Sequence, residues 1–225
     1  IRAAFIDDVL KSIFGVTNGE LKTALKLKAP PTLRRPNDDW VKDFARDESA
    51  LATVIEEIYA TKKPEEKFVL SSGHAHLAHL VVMEGLGGGD AEERIERAGI
   101  HCDTKVGCDV STGSLGQGLP VAVGIALSNR EKNIYCLVSD GELAEGSCWE
   151  ALRIAKEQKL DNLKVYLNAN AWAAYRPTDL NMITAQIEAI GFPVDVRFTY
   201  PNLGGWAVGL AAHYKPADEE LRNYL

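Results

Sequence analysis

Apolar positions along this chain follow two rhythms. Residues 1–28 repeat them at helical spacing: Phe5, Val9, Leu10, Ile13 and Phe14, then Leu21, Ala24 and Leu25. Gly15 and Asn18-Gly19 divide this stretch into two helices. Residues 29–39, A-P-P-T-L-R-R-P-N-D-D, read as a Pro-rich polar connector, either a linker or an arm packed on a partner. Residues 40–60 return to the helical rhythm, with Trp40, Phe44, Leu51, Val54, Ile55 and Ile58 as the core stripe. Beyond them, short apolar runs bounded by turn residues predict strands at Phe68–Leu70, Ile134–Val138 and Leu163–Leu167, and a further strand is predicted at Val194–Phe198. Helical patterns fall between: a polar one at A-E-E-R-I-E-R-A after the Gly85–Gly89 turn, an apolar one over Pro120–Leu127, and others over 145–159 and Ile183–Ile190, the last stopped by Gly191.

The centre of this pattern is a βαβ unit from Asn133 to Trp172. Its two strands should lie parallel with a right-handed crossover. Asp140 and Asn170 then both stand at carboxyl ends of strands, the edge of an open α/β sheet where ligands bind. One carboxylate, one neutral amide oxygen and free backbone carbonyls suit Mg²⁺, which keeps few protein ligands and completes its shell with water and phosphate oxygens. Gly141 lets backbone N–H groups approach an anion, and the following helix directs its N-terminus there. As a lone dipeptide D-G is also a common turn.

Composition narrows the classes. A length of 225 residues fits one α/β domain over 1–225, with 1–39 as a helical arm and connector at its start. A net charge of −7 argues against nucleic acid and anionic membrane surfaces as partners. No run of 18 apolar residues predicts a transmembrane helix, and the start I-R-A-A-F-I-D-D lacks a signal-peptide profile, so a cytoplasmic protein is expected. Because that start also lacks Met, the natural beginning is expected to lie upstream. Cys102, Cys108, Cys136 and Cys148 form no CxxC or zinc spacing and are expected to be free thiols in a reducing compartment. His74 and His79 are spaced i, i+5 rather than the i, i+4 of helical zinc pairs, and His76 and His79 are read as structural helix residues.

Three ordered blocks resemble the transketolase family: F-V-L-S-S-G-H-A (68–75), T-G-S-L-G-Q-G-L (112–119) and S-D-G-E-L-A-E-G-S-C-W-E-A (139–151) followed by Asn170. A weaker match is H-Y-K-P-A-D-E-E (213–220). The resemblance implies a three-layer α/β/α domain with a parallel sheet, the diphosphate-binding half of a thiamine diphosphate fold. It implies thiamine diphosphate as cofactor with Mg²⁺, or Ca²⁺ or Mn²⁺ in its place. Asp140, Asn170 and the Trp172 carbonyl would hold the metal. The Gly113 carbonyl would meet the aminopyrimidine, and Leu115 would pack on the cofactor rings. His74, His101 and His213 would act on the donor sugar and diphosphate, while Glu145 and Glu150 would link cofactors across a subunit interface. Read without the family, Glu145 and Glu150 could equally be charges at a helix start, and 112–118 a plain helix-entry turn.

The resemblance also has gaps. The Gly-His-Pro-Gly-Gly segment of transketolases is missing before residue 60, His101 precedes the Gly-rich loop by a shortened spacing, and Ser139 and Asn168 replace a Gly and an Asp. After Asn170 the chain reads A-W-A-A-Y-R-P, and Trp172 and Tyr175 suggest an altered site wall. The chain also stops where a pyrimidine-binding domain would begin. The expectation is therefore the N-terminal subunit of a split transketolase. It would transfer a two-carbon ketol unit from a ketose or ketose phosphate to an aldehyde, self-associate, and act only with a separate C-terminal subunit. The alternatives are another thiamine diphosphate-dependent synthase of the acyloin or deoxyxylulose phosphate type, and a non-catalytic regulatory subunit.

Overall fold

Each of the four predicted strands forms a strand of a single sheet. The computed structural model describes residues 46–98, 101–171, 173 and 177–199. Along the chain these form α1 (Arg46–Thr61), β1 (Lys67–Leu70), α2 (His76–Gly85), α3 (Ala91–Ala98), α4 (Gly118–Ser128), β2 (Ile134–Ser139), α5 (Gly146–Glu157), β3 (Leu163–Ala169), α6 (Leu180–Ile190) and β4 (Val194–Phe198). The strands pair in the order β1-β2-β3-β4, all parallel. Leu70 stands beside Leu137, Ser139 beside Asn168 and Ala169 beside Phe198, so the carboxyl ends form one edge.

Alternation along the strands sends side chains to opposite faces, and helices cover both. Val69, Cys136, Val138, Val165 and Leu167 pack with Leu119 and Val123 of α4, Leu152 of α5 and Ile183 and Ile187 of α6. Phe68, Leu70, Tyr135 and Leu137 pack on the other face with Leu51, Val54, Ile55 and Ile58 of α1 and Ala78 and Val82 of α2. The result is the expected three-layer α/β/α arrangement. With both faces buried, the inner strands must read as continuous apolar runs, and β2 is buried at all six positions. At the outer strand β4, Asp195 and Arg197 pair with each other and Arg197 also reaches Glu57 of α1. Charges of this kind blunt an exposed edge.

Local chemistry sets the helix ends. The Asp179 carboxylate accepts from the Met182 N–H at 3.0 Å, which starts α6 three residues before the apolar pattern alone suggests. Gly191, at φ 71°, closes it in the left-handed conformation. Between β2 and α5 lies a short turn, Glu142–Ala144, that the periodicity does not reveal. Among the described residues no helix is long and apolar enough to cross a membrane. Residues 1–39, with the expected arm and connector, lie outside the described residues, as do Trp172, Tyr175 and His213.

Candidate functional site

Asp140 follows directly on β2 and is 1% exposed. Its backbone N–H bonds the Asn168 carbonyl at 3.0 Å, fixing it against the end of β3. Oδ2 accepts from the Thr178 hydroxyl at 2.5 Å. Oδ1 has no hydrogen-bond partner among the described residues. Burial pushes the carboxyl above its ordinary range, while Thr178 and the backbone of Gly141, Ala171 and Asn170 pull it back. A buried carboxylate oxygen without a partner is costly. A cation there would satisfy it and favour the charged form.

Asn170 comes one residue after β3 and is also buried. Ala171 then adopts φ 67°, rare for a residue with a side chain, and its carbonyl accepts from the Thr178 N–H at 3.0 Å. This bond closes the loop that begins at Asn170, so one loop supplies both the Asn170 backbone N–H against the Asp140 carboxyl and the Thr178 hydroxyl on it. Such backbone strain tends to persist where the surroundings over-determine it, often at ligand sites. One carboxylate oxygen and a neutral amide on the same sheet edge fit a hard divalent cation that retains several outside ligands.

Gly141 differs from its sequence expectation. Its backbone is right-handed helical (φ −62°, ψ −36°), a conformation open to any residue. It supports the Asp140 carboxylate, and the turn Glu142–Ala144 separates it from the start of α5. The α5 N-terminus therefore does not follow Asp140 directly. Glu145 is the exposed N-cap residue of α5 and makes no side-chain capping bond, and Glu150 is exposed further along the same helix.

The Gly-rich loop packs against the first strand's exit. A Cβ on Gly73 would come within 2.8 Å of the Gly113 Cα, so only a glycine at 73 lets the two backbones approach this closely. His74 stands in the turn Gly73–Ala75, and a Cβ on Gly113 would meet the His101 ring at 3.0 Å. The structure thus brings the His74 turn, Gly113 and the exposed His101 together. Thr112 secures the loop through its hydroxyl on the Leu70 carbonyl at 2.6 Å. Leu115 leaves its apolar side chain 46% exposed, available to an apolar ring.

The residue that sequence reasoning missed is Glu142. It is fully buried, and its Oε1 accepts from the Ser71 hydroxyl at 2.6 Å and from the Gly116 N–H at 2.9 Å. One carboxylate oxygen therefore joins the exit of β1, the Gly-rich loop and the exit of β2. Burial raises its carboxyl above the ordinary range against these hydrogen bonds. Nothing in the string D-G-E-L marks this glutamate as internal. Asn168 is similarly tied, accepting from the Thr199 hydroxyl after β4.

Comparisons with known proteins show the family and the fold. The family described as transketolase, thiamine diphosphate binding domain, matches residues 58–186. A transketolase of Pongo abelii is 39% identical over 127 residues, which is 51% of this chain and 20% of that protein. One subunit of an apulose-4-phosphate transketolase, from Actinobacillus succinogenes, is 38% identical over 112 residues, covering 48% of this chain and 35% of that one. The chain therefore spans well under half the length of these relatives. The solved transketolase of Leishmania mexicana superposes with a TM-score of 0.53 at 24% identity, over 66% of this chain and 29% of that chain, which shows the fold alone.

Proposed function

Since this chain belongs to the transketolase family through its thiamine diphosphate binding domain, we propose that it is the N-terminal subunit of a split transketolase. It transfers a two-carbon ketol unit from a ketose or ketose phosphate to an aldehyde, together with a separate subunit carrying the pyrimidine domain. The observation that carries this reading is the buried Oδ1 of Asp140, without a hydrogen-bond partner among the described residues, on the same carboxyl edge of the sheet as Asn170. The Actinobacillus succinogenes relative is named as one subunit of its transketolase, which supports division of the enzyme between two chains.

Asp140 and Asn170, with the carbonyl of Trp172, would hold Mg²⁺, or Ca²⁺ or Mn²⁺, against the cofactor diphosphate. When bound, thiamine diphosphate supplies the nucleophilic carbon and electron sink needed to break and make the carbon–carbon bond. The chain's own residues do the rest. The Gly113 carbonyl orients the aminopyrimidine, and Leu115 excludes water from one side of the rings. His74, His101 and His213 hold the donor hydroxyls and move protons at them. Glu145 and Glu150, exposed on α5, would face other subunits and couple paired sites in a self-associating, cytoplasmic complex.

Coexpression with a pyrimidine-domain subunit, followed by assay of ketol transfer, tests the reading. The mixed complex should turn over a ketose donor, and the purified chain alone should not. Transfer by the chain alone overturns the split-subunit reading. A mixed complex that binds thiamine diphosphate but releases an acyloin instead overturns the reaction class.

A further inference from the structure

On the face of the sheet covered by α1 and α2, four ligand-forming side chains converge away from any role given above. His76 and His79 lie on α2, and Cys102 and Cys108 lie on the segment leading to the Gly-rich loop. All four are buried, at 0%, 1%, 3% and 6% exposure respectively. Cys108 Sγ is 3.5 Å from His76 Nε2, 3.7 Å from His79 Nδ1 and 3.2 Å from Cys102 Sγ. Cys102 Sγ is 3.8 Å from His79 Nδ1. The ligand atoms of His76, Cys102 and Cys108 all lie within 4.8 Å of one another.

We propose that His76, His79, Cys102 and Cys108 form a zinc site that fastens the Cys102–Cys108 segment to α2. With Zn–S of about 2.3 Å and Zn–N of about 2.0–2.1 Å, a tetrahedral ion sets sulfur–nitrogen edges of about 3.6 Å and a sulfur–sulfur edge of about 3.8 Å. The three sulfur–nitrogen separations already match to within a few tenths of an ångström; to complete the set the sulfurs swing apart and the His79 ring closes on the compact group of His76, Cys102 and Cys108. At 3.2 Å they are well beyond a disulfide bond of about 2.0 Å. Two thiolates and two imidazoles select a soft or borderline ion and disfavour the oxygen-seeking Mg²⁺.

The surroundings are those of a ligand set. His79 Nε2 lies 2.8 Å from the Tyr59 hydroxyl, which turns Nδ1 toward the two sulfurs. Binding the ion displaces the thiol protons to solvent. Cys102 adjoins His101, and its carbonyl accepts from the Thr112 N–H at 3.1 Å. The metal would therefore fix the base of the loop that presents His101 and Gly113.

The test is metal analysis of the complete chain purified with its partner subunit under reducing conditions. About one zinc per chain is expected. Cobalt substitution should give a thiolate-to-cobalt charge-transfer band and the intense visible bands of a tetrahedral site. Cys102→Ser and Cys108→Ser should each lose the zinc. Tyr59→Phe should weaken affinity by about 10–100-fold in a chelator competition. Asp140→Ala should retain the zinc in full, which separates this site from the proposed magnesium site. A wild-type protein without zinc whose cobalt form lacks the charge-transfer band overturns the proposal. So does a Cys102–Cys108 disulfide in the freshly purified protein, seen by mass after alkylation. If the serine variants fail to fold, the cobalt spectrum of the wild type decides.

Discussion

Replacing Glu142 by alanine should loosen the Gly-rich loop and destabilise the domain, whereas glutamine should largely be tolerated. Oε1 is the acceptor for two buried donors, the Ser71 hydroxyl and the Gly116 N–H. Alanine removes both bonds and leaves both donors in a dry interior, at about 1–3 kcal/mol each. Relief of the desolvated charge returns part of this, so a net loss of about 2–4 kcal/mol is expected. For a chain of this size that is a fall in Tm of roughly 4–16 °C. Glutamine keeps an acceptor for Ser71 and Gly116, and at the Oε2 position it exchanges one atom without a partner among the described residues for another. Its stability should stay within about 1 kcal/mol of wild type. The pH dependence separates charge from hydrogen bonding. Because the native carboxyl is raised, the contribution of Glu142 is fully present below the ordinary glutamate range and is lost as pH rises through the native value. Thermal unfolding across this range should show Glu142→Gln gaining on wild type as pH rises. A Glu142→Ala protein as stable as wild type, or a glutamine variant that loses ground as pH rises, refutes the reasoning.

Other expectations concern the remaining site residues. Asn170→Ala should weaken Mg²⁺-dependent cofactor binding by about 1–3 kcal/mol, roughly 5–150-fold, measured by calorimetry. His74→Ala and His101→Ala should each lower turnover by about 10²–10⁴-fold with unchanged Tm, read by steady-state kinetics beside a thermal melt. Gly116→Ala should both destabilise the domain and weaken cofactor binding. Gly116 has φ 77°, and a Cβ would lie 2.5 Å from Ser147 Oγ and 2.6 Å from Glu145 Cβ. The backbone strain alone costs on the order of 1–3 kcal/mol in a denaturant titration.

Much of the sheet was legible because buried parallel strands tend to be continuous apolar runs, as at Phe68–Leu70 and Ile134–Val138, and Leu163–Leu167 keeps that character with only Lys164 turned out. Asp140 and Asn170 were legible for the same reason: they are the first polar residues after such runs, or nearly so. What escaped depends on contacts between distant segments. Glu142 reads as a surface turn residue, yet Ser71 and Gly116, 71 and 26 positions away, make it internal. Gly141 reads as an anion-binding glycine, but an unforeseen turn places it before Glu142–Ala144 instead of at the start of α5. The histidine–cysteine cluster has no regular spacing because its ligands come from a helix and a loop that meet only in the fold.

The central claim is that Asp140 anchors a divalent ion and a diphosphate at the sheet edge. Its most direct measurement is a calorimetric titration of thiamine diphosphate, with and without Mg²⁺, into the complex of this chain with its partner, using wild type and Asp140→Ala. The account predicts Mg²⁺-dependent binding by wild type and none by the variant, with its fold retained by circular dichroism. Equal, Mg²⁺-dependent affinities for the two proteins would contradict it.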